Sequence, residues 1–182
     1  MSALGPPDAA SPVAAIDCGT NAIRLLIATV DADGVLHEVV RQMRIVRLGE
    51  GVDATGAFSE AALARTFGAC AEYADLIATH QASRVRFAAT SASRDVSNRE
   101  AFIGGVQACL GIAPEVISGA QEAELSFIGA VRGLHRALPA PVLVVDIGGG
   151  STEFVLGSRP GGRWRLDASI SVNVGCVRMT ER

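Results

Sequence analysis

The chain has 182 residues, of which 49% are hydrophobic, and a mean hydropathy of +0.32, so it can fill a core and is not a disordered protein. Its 16 basic and 19 acidic residues give a formal net charge of −3 without any basic tract, which argues against sequence-independent nucleic-acid binding. All the basic residues are arginine, because the sequence contains no lysine. Anion binding must therefore use arginine, backbone N–H groups or a metal.

The four cysteines lack the spacing of a zinc site or a redox pair. The longest apolar runs, about ten residues, fall short of the ~20 residues needed to span a bilayer. The N-terminal segment is small, contains proline and has no signal-peptide pattern. We therefore predict a flexible tail at residues 1–11 and a cytoplasmic protein with reduced thiols that binds neither membrane nor nucleic acid.

Three β-strands are predicted at the start of the chain. The apolar runs Val13–Ile16 and Ile23–Val30 flank the turn Asp17–Asn21, a pattern typical of a hairpin. A second turn at Asp31–Gly34 leads to a third strand over Leu36–Leu48. The chain is thus expected to begin with an antiparallel meander.

The middle of the chain alternates predicted helices with short strands, because the period of its apolar residues changes. Ser59 is predicted as the N-cap of the first helix, and Ser97–Glu100 has the pattern of a capping box for the second. In order, the elements are a helix from Ser59 to about His80, a strand at Val85–Ala89, a helix from Ser97 to Gly111, a strand at Pro114–Ile117 and a helix at Gln121–Leu138.

The opening pattern then occurs a second time. It comprises the strand Val142–Val145, the turn Asp146–Thr152, the strand Phe154–Leu156, the turn Pro160–Gly162 and the strand Trp164–Val174. This duplication predicts two similar α/β halves across a cleft, with a first domain at 12–138 and the start of a second at 139–182. Because we expect no helices after the second meander to cover its sheet, we interpret the sequence as a fragment of a longer protein.

Each meander has an Asp-x-Gly loop directly after its first strand. Glycines let backbone N–H groups approach phosphate oxygens, and hydroxyl side chains add donors. An aspartate at the strand end can hold Mg²⁺, usually through water. One such loop alone fits an ordinary hairpin turn, whereas two at equivalent positions favour phosphate binding.

Five segments carry a family resemblance: IDCGTNAIRLLI, RLGEGVD, ATSASRDVSN, VISGAQEAEL and VVDIGGGSTEFVLG. They are similar to successive blocks of the exopolyphosphatase / guanosine pentaphosphate phosphohydrolase (Ppx/GppA) family, over residues 13 to 182. The resemblance implies an α/β fold: an actin-like ATPase (ribonuclease H-like) domain with a mixed five-stranded sheet and flanking helices, plus the opening β-meander of a second similar domain. The final VNVGCVRMTER resembles a block normally followed by more of that domain, which again indicates a fragment.

The resemblance also implies two catalytic carboxylates. Glu122 matches the family's catalytic carboxylate, which would orient and deprotonate a water for in-line attack. From the residues alone, Glu122 fits an ordinary first-turn glutamate favoured by the helix dipole. Glu153 matches a second carboxylate that would position water or metal, and its alternative is an exposed charge at a strand edge.

The remaining predicted site residues concern metal and phosphate. Asp17 and Asp146 would lie on the Mg²⁺ side, and Arg94 matches the family's phosphate-binding arginine. Glu50 is a further candidate for metal or water contact. The predicted phosphate-binding residues are Gly19, Thr20, Asn21, Arg24, Arg94, Gly148, Gly149, Gly150, Ser151 and Thr152.

Two positions depart from the family pattern. Ala22 replaces a hydroxyl residue of the first loop, and the acidic pair reads Gln121-Glu122, with Glu124 where a basic residue is common. These changes keep the predicted base but remove one phosphate donor and make the local field more negative. They affect the expected affinity for substrate.

The function that the resemblance implies is that of a phosphoric anhydride hydrolase. It would release the terminal phosphate of inorganic polyphosphate by Mg²⁺-assisted attack of water. Removal of the 5′-γ-phosphate of guanosine pentaphosphate uses the same chemistry. A non-catalytic polyphosphate- or alarmone-binding module and a sugar or acetate kinase are further alternatives. For full-length members the resemblance suggests a homodimer.

Overall fold

The opening meander belongs to a five-stranded sheet. The computed structural model describes residues 11–94, 96–132 and 139–181, so the predicted tail lies outside it except for its last residue. The strands of the first sheet are β1 (Val13–Cys18), β2 (Ala22–Val30), β3 (Leu36–Ile45), β4 (Arg84–Ala89) and β5 (Glu115–Val116). Their order is β3-β2-β1-β4-β5. β2 pairs antiparallel with both β1 and β3, whereas β4 pairs parallel with both β1 and β5. The predicted mixed sheet is confirmed.

Three helices accompany this sheet, α1 (Val52–Thr55), α2 (Glu60–Thr79) and α3 (Arg99–Leu110). The predicted start of α2 is confirmed, because the Ser59 side chain accepts a hydrogen bond from the Ala62 N–H. Alternate residues of β1 and β2 pack with the helices in one core, where the buried Tyr73 hydroxyl donates to the Ile23 carbonyl oxygen at 3.0 Å.

The predicted capping box of α3 is wrong. Asn98 is the N-cap and makes no side-chain cap; its amide instead bonds both the N–H and the carbonyl of Phe58 at 2.9 Å. The Ser97 hydroxyl donates to the Gly56 carbonyl oxygen. These side chains tie the start of α3 to the segment before α2, a tertiary role that competes with local capping.

The second meander forms a separate antiparallel sheet of β6 (Val142–Ile147), β7 (Thr152–Ser158) and β8 (Arg165–Val172). Helix α4 (Gly119–Arg132) packs on one face of it through a small core that contains Phe127, Val155 and Trp164. We predicted that this helix belongs to the first domain, at 12–138. The remainder of the predicted helix, 133–138, and the predicted boundary at 138 lie outside the described residues, so the boundary stays a prediction.

The expectation that no helix follows the second meander is wrong. A short helix, α5 (Cys176–Thr180), follows its N-cap residue Gly175. Its first N–H groups, those of Cys176 and Val177, donate to the carbonyls of Gly148 and Gly149. The loop thus satisfies donors that a helix start leaves unpaired, which sequence periodicity does not reveal. We call the first sheet with α1–α3 the first lobe, and α4, the second sheet and α5 the second lobe.

The two meanders share one pairing register. Asp17 lies opposite Arg24 across β1 and β2, and Asp146 lies opposite Glu153 across β6 and β7. Each intervening loop is closed by an equivalent hydrogen bond, from Gly19 N–H to the Ala22 carbonyl and from Gly148 N–H to the Ser151 carbonyl. The internal repeat read from the sequence is therefore a structural repeat. No helix in the described part of the chain is long and apolar enough to cross a membrane.

The packing of α4 on β7 predicts opposite effects for two glycine substitutions. A Cβ at Gly157 would lie 2.0 Å from the Phe127 ring, whereas one at Gly129, exposed on α4, meets nothing within 4 Å. We expect Gly157→Ala to lower the free energy of unfolding by about 1–3 kcal/mol. Gly129→Ala should raise it by about 0.5–1 kcal/mol through helix propensity. Urea unfolding followed by circular dichroism measures both, and equal effects would contradict this packing.

Candidate active site

Both Asp-x-Gly loops line one cleft between the lobes, with a volume of about 570 Å³. The cleft contains the predicted site residues Asp17, Gly19, Thr20, Asn21, Arg24, Glu122, Asp146, Gly148 and Gly149. Glu122 lines the cleft from helix α4 of the second lobe, and the two loops follow the ends of β1 and β6. The duplicated sequence pattern thus converges on a single site.

The two loops also touch each other, which explains the run of glycines in the second. The hydroxyls of Thr20 and Ser91 lie 2.9 Å apart. A Cβ at Gly150 would approach both hydroxyl oxygens to 2.7 Å, and one at Gly149 would lie 2.9 Å from the Thr20 Cβ. Gly150 is therefore part of the contact between the loops and does not line the cleft itself.

A row of polar side chains crosses the second sheet beneath α4. Asp146, Glu153 and Ser171 lie directly opposite one another on β6, β7 and β8. Glu153 is only 1% exposed, so the alternative of an exposed strand-edge charge is wrong. Its carboxylate accepts a hydrogen bond from the Ser171 hydroxyl at 2.7 Å, and Asp146 accepts one from Ser126 at 2.6 Å. The row thus presents two carboxylates held by hydroxyl donors.

Glu122 lies in the first turn of α4 and forms an ion pair with Arg94, whose Nε also donates to the Ile117 carbonyl oxygen at 3.1 Å. Burial, and then the negative charge of Glu153, raise the pKa of Glu122 to about 7. Arg94 and a hydrogen bond from Thr90 act in the opposite direction but do not prevail. A carboxylate that titrates near neutrality suits a general base.

The two loop aspartates face each other closely enough to interact. Desolvation in the cleft raises the pKa of Asp17, and the charge of Asp146 acts in the same direction. Arg24 opposes both effects by donating to the Asp17 carboxylate at 3.0 Å. Asp17 and Asp146 would be the residues that hold a divalent cation, and its charge would offset this repulsion.

The donor chemistry of the cleft fits Mg²⁺ bound partly by the protein. Among the residues that the structure describes, no three histidine, cysteine, aspartate or glutamate side chains cluster to form a complete cage. Mg²⁺ typically uses one or two carboxylates, keeps several waters and binds substrate phosphates. Asp17 and Asp146 can supply those carboxylates.

Other predicted residues do not line the cleft. Arg94 is one of them, and it forms an ion pair with Glu122, which does. Ser151 and Thr152 are buried, and the Thr152 hydroxyl donates to the Val174 carbonyl oxygen at 2.6 Å. The Glu50 carboxylate pairs with Arg65 at 2.6 Å and does not line the cleft. Their roles in phosphate or metal binding stay predictions.

The two departures from the family pattern have different structural settings. Ala22 is buried and leaves its position in the first loop without a hydroxyl. Gln121 accepts from the Ser118 N–H at 2.9 Å, while its own N–H donates to the Ser118 hydroxyl at 3.2 Å. This reciprocal pair is a capping box that starts α4, a role that glutamine fills as well as glutamate.

Three hydroxyl side chains that line the cleft were not predicted: Thr90, Ser91 and Ser126. Ser126 follows Glu122 by one helical turn and therefore shares its face of α4, which is a signal the sequence contained. Thr90 and Ser91 follow β4, which pairs parallel to β1 and so ends at the same sheet edge as Asp17. Their position depends on that pairing.

Comparison with known proteins gives a consistent result. The model of the Ppx/GppA phosphatase family matches residues 26–182. Over 178 residues the chain is 57% identical to "Exopolyphosphatase 2" of Mycobacterium tuberculosis (strain CDC 1551 / Oshkosh), covering 93% of this chain and 54% of that protein.

Solved structures agree with the sequence comparison. A crystal structure described as an exopolyphosphatase-like protein superposes with a TM-score of 0.90 at 50% identity, over 96% of this chain and 54% of that one. An exopolyphosphatase from Cytophaga hutchinsonii superposes with a TM-score of 0.85 at 31% identity, over 93% and 53%. The chain thus spans about half the length of the proteins that it matches.

The raised pKa of Glu122 predicts a pH-dependent loss of stability. Between pH 4.5 and about 7 the folded state keeps a proton that the unfolded state releases, so stability falls as pH rises through this range. Glu122→Gln removes this effect. We expect the variant to match the parent at pH 4.5 and to exceed its free energy of unfolding by roughly 1–3 kcal/mol at pH 8.

Urea unfolding at both pH values measures this difference. Glu124→Gln, an exposed position on the same helix, serves as the control and should follow the parent at both pH values. A constant difference between Glu122→Gln and the parent would contradict the raised pKa.

Proposed function

Because the chain belongs to the Ppx/GppA phosphatase family, we propose that it is a phosphoric anhydride hydrolase that releases the terminal phosphate of inorganic polyphosphate. One observation carries the proposal. Glu122, with a pKa of about 7, lies beside the buried Glu153 in a cleft that both glycine loops line. The relatives named exopolyphosphatase support this choice of substrate class.

The loops bind the anionic end of the substrate. Backbone N–H groups of glycine loops, with hydroxyls such as that of Thr20, are suitable donors for phosphate oxygens. Arg24 adds a positive charge on the first lobe. Mg²⁺, held by Asp17 and Asp146, would offset the charge of the phosphate oxygens when bound.

The chemical step is an in-line displacement by water. The Glu122 carboxylate accepts a proton from the water as the water oxygen forms a bond to the terminal phosphorus. The bond between that phosphorus and the bridging oxygen breaks, and the electron pair stays on the shortened chain. One water is consumed, and one orthophosphate leaves for each bond cleaved.

Glu153 and Arg94 have opposite effects on the pKa of Glu122. Burial, and then the negative charge of Glu153, keep the proton affinity of Glu122 high, and the Arg94 guanidinium holds its carboxylate in place. A base whose pKa is near 7 is deprotonated in a large fraction of molecules and still binds the proton that it takes. Hydrolysis should therefore increase with pH through about 7.

The Glu122→Gln variant tests the base. We expect phosphate release from polyphosphate with Mg²⁺ to fall at least about a hundredfold, because general base catalysis typically contributes a factor of that size. Glu124→Gln should retain the parent rate. Colorimetric phosphate release between pH 5.5 and 8.5 measures both effects. Binding of polyphosphate without release by the parent would instead favour a non-catalytic binding module.

An apolar rim at the cleft favours a second candidate substrate, guanosine pentaphosphate. Met43, Ile45, Leu125 and Ile147 line the cleft and are exposed. Apolar side chains do not contribute to binding a fully charged polyphosphate, but they can pack against a nucleoside base. Loss of the 5′-γ-phosphate would use the same water and the same base.

Substitution of the rim distinguishes the two substrates. Met43→Ser should lower kcat/KM for guanosine pentaphosphate roughly fivefold through lost apolar contact, and leave kcat/KM for polyphosphate unchanged. Phosphate release from each substrate is compared in parallel. An equal effect on both substrates, or none on either, would contradict a base-binding role for the rim.

A further inference from the structure

Arg178 of α5 connects the glycine loop of the second lobe to the first lobe. Its NH1 lies 2.6 Å from the Asp53 carboxylate on α1, and its Nε donates to the Gly150 carbonyl oxygen at 3.0 Å. One guanidinium thus contacts both lobes at once, next to the point where the two loops meet. The planar fork of arginine suits such a double contact, and the single ammonium of lysine does not.

The backbone of α5 holds the same loop. The N–H of Cys176 donates to the Gly148 carbonyl, and the N–H groups of Val177 and Arg178 donate to the Gly149 carbonyl. With the Arg178 side chain on Gly150, three successive loop carbonyls are bonded to α5. In a trans peptide the N–H points away from the carbonyl, so these bonds also orient the N–H groups that would receive a phosphate oxygen.

The Arg178–Asp53 pair differs from ordinary surface ion pairs. Its side chains are 24% and 26% exposed, and among ion pairs between described residues only Arg94–Glu122 is comparably shielded on both sides. Shielded pairs are less screened by solvent than exposed ones. The lobes are joined a second time close by, where the Glu181 carboxylate accepts from the Gly51 N–H at 3.0 Å.

We propose that Arg178 is a positioning residue, which through Asp53 holds the Gly148–Ser151 loop against the first lobe and so sets the spacing at which both loops bind the terminal phosphate. This role rests on the proposed hydrolase function. The bound substrate itself bridges the two loops, so turnover of the bound complex depends little on the pair. The affinity of the empty cleft for polyphosphate depends strongly on the Arg178–Asp53 pair.

Steady-state kinetics on polyphosphate with Mg²⁺ tests this role. Asp53→Asn and Arg178→Gln should each raise KM about tenfold, the effect of a charge-assisted contact, with kcat within about twofold of the parent. The double variant should raise KM no further than the worse single variant, because both substitutions break one connection. Arg178→Lys, which keeps the charge facing Asp53, should recover part of the loss.

A control and a second readout keep the test decisive. Arg86→Gln removes an exposed ion pair to Glu115 within the first lobe and should leave KM unchanged. Without substrate, Arg178→Gln should accelerate amide hydrogen exchange at least about tenfold in residues 146–152 and 174–181, while exchange in α2 stays at the parent rate. Faster exchange in α2 as well would indicate general destabilisation and overturn the proposal.

The two arms separate this inference from the proposed function. If the parent hydrolyses no polyphosphate, the hydrolase assignment fails, while the exchange measurement still decides whether Arg178 holds the loop. Multiplying effects in the double variant, a fall in kcat with unchanged KM, or unchanged loop exchange would each overturn the positioning role. A rise in KM that is shared by both single variants and partly reversed in Arg178→Lys supports it.

Discussion

The contact between the two glycine loops is the constraint on which the rest of the site depends. Gly149 and Gly150 approach Thr20 and Ser91 at distances that leave no room for a Cβ. Only with these loops in contact do Asp17 and Asp146 interact across the cleft and Arg178 reach Asp53. The spacing of the two loops, Glu122 and the two loop aspartates therefore depends on the lack of side chains at Gly149 and Gly150.

The two halves of the internal repeat place differently charged residues opposite their loop aspartates. Across the strands of the first lobe, Asp17 lies opposite an arginine, whereas Asp146 lies opposite the carboxylate of Glu153. The first lobe neutralises its aspartate, and the second lobe accumulates negative charge beneath α4. Burial, and then this excess of negative charge, raise the pKa of Glu122. The carboxylates are also oxygen donors of the kind that divalent cations prefer. One duplicated backbone thus supplies two different environments.

Features set by local sequence were predictable, and features set by tertiary contact were not. The two meanders, the Ser59 cap of α2 and the end of α3 at Gly111 follow from periodicity and capping chemistry. The prediction that both loops and Glu122 form one site followed from the duplication and the family resemblance. The burial of Glu153, the bridge from Asn98 to Phe58 and the start of α5 on the loop carbonyls depend on partners far away in sequence.

The reciprocal hydrogen bonds between Ser118 and Gln121 separate two tasks at the start of α4. A glutamate at position 121 would cap the helix equally well but would add a negative charge one residue before Glu122. The two side chains are therefore equivalent for the start of α4 but differ in charge. Gln121→Glu would leave the cap intact and would raise the proton affinity of Glu122.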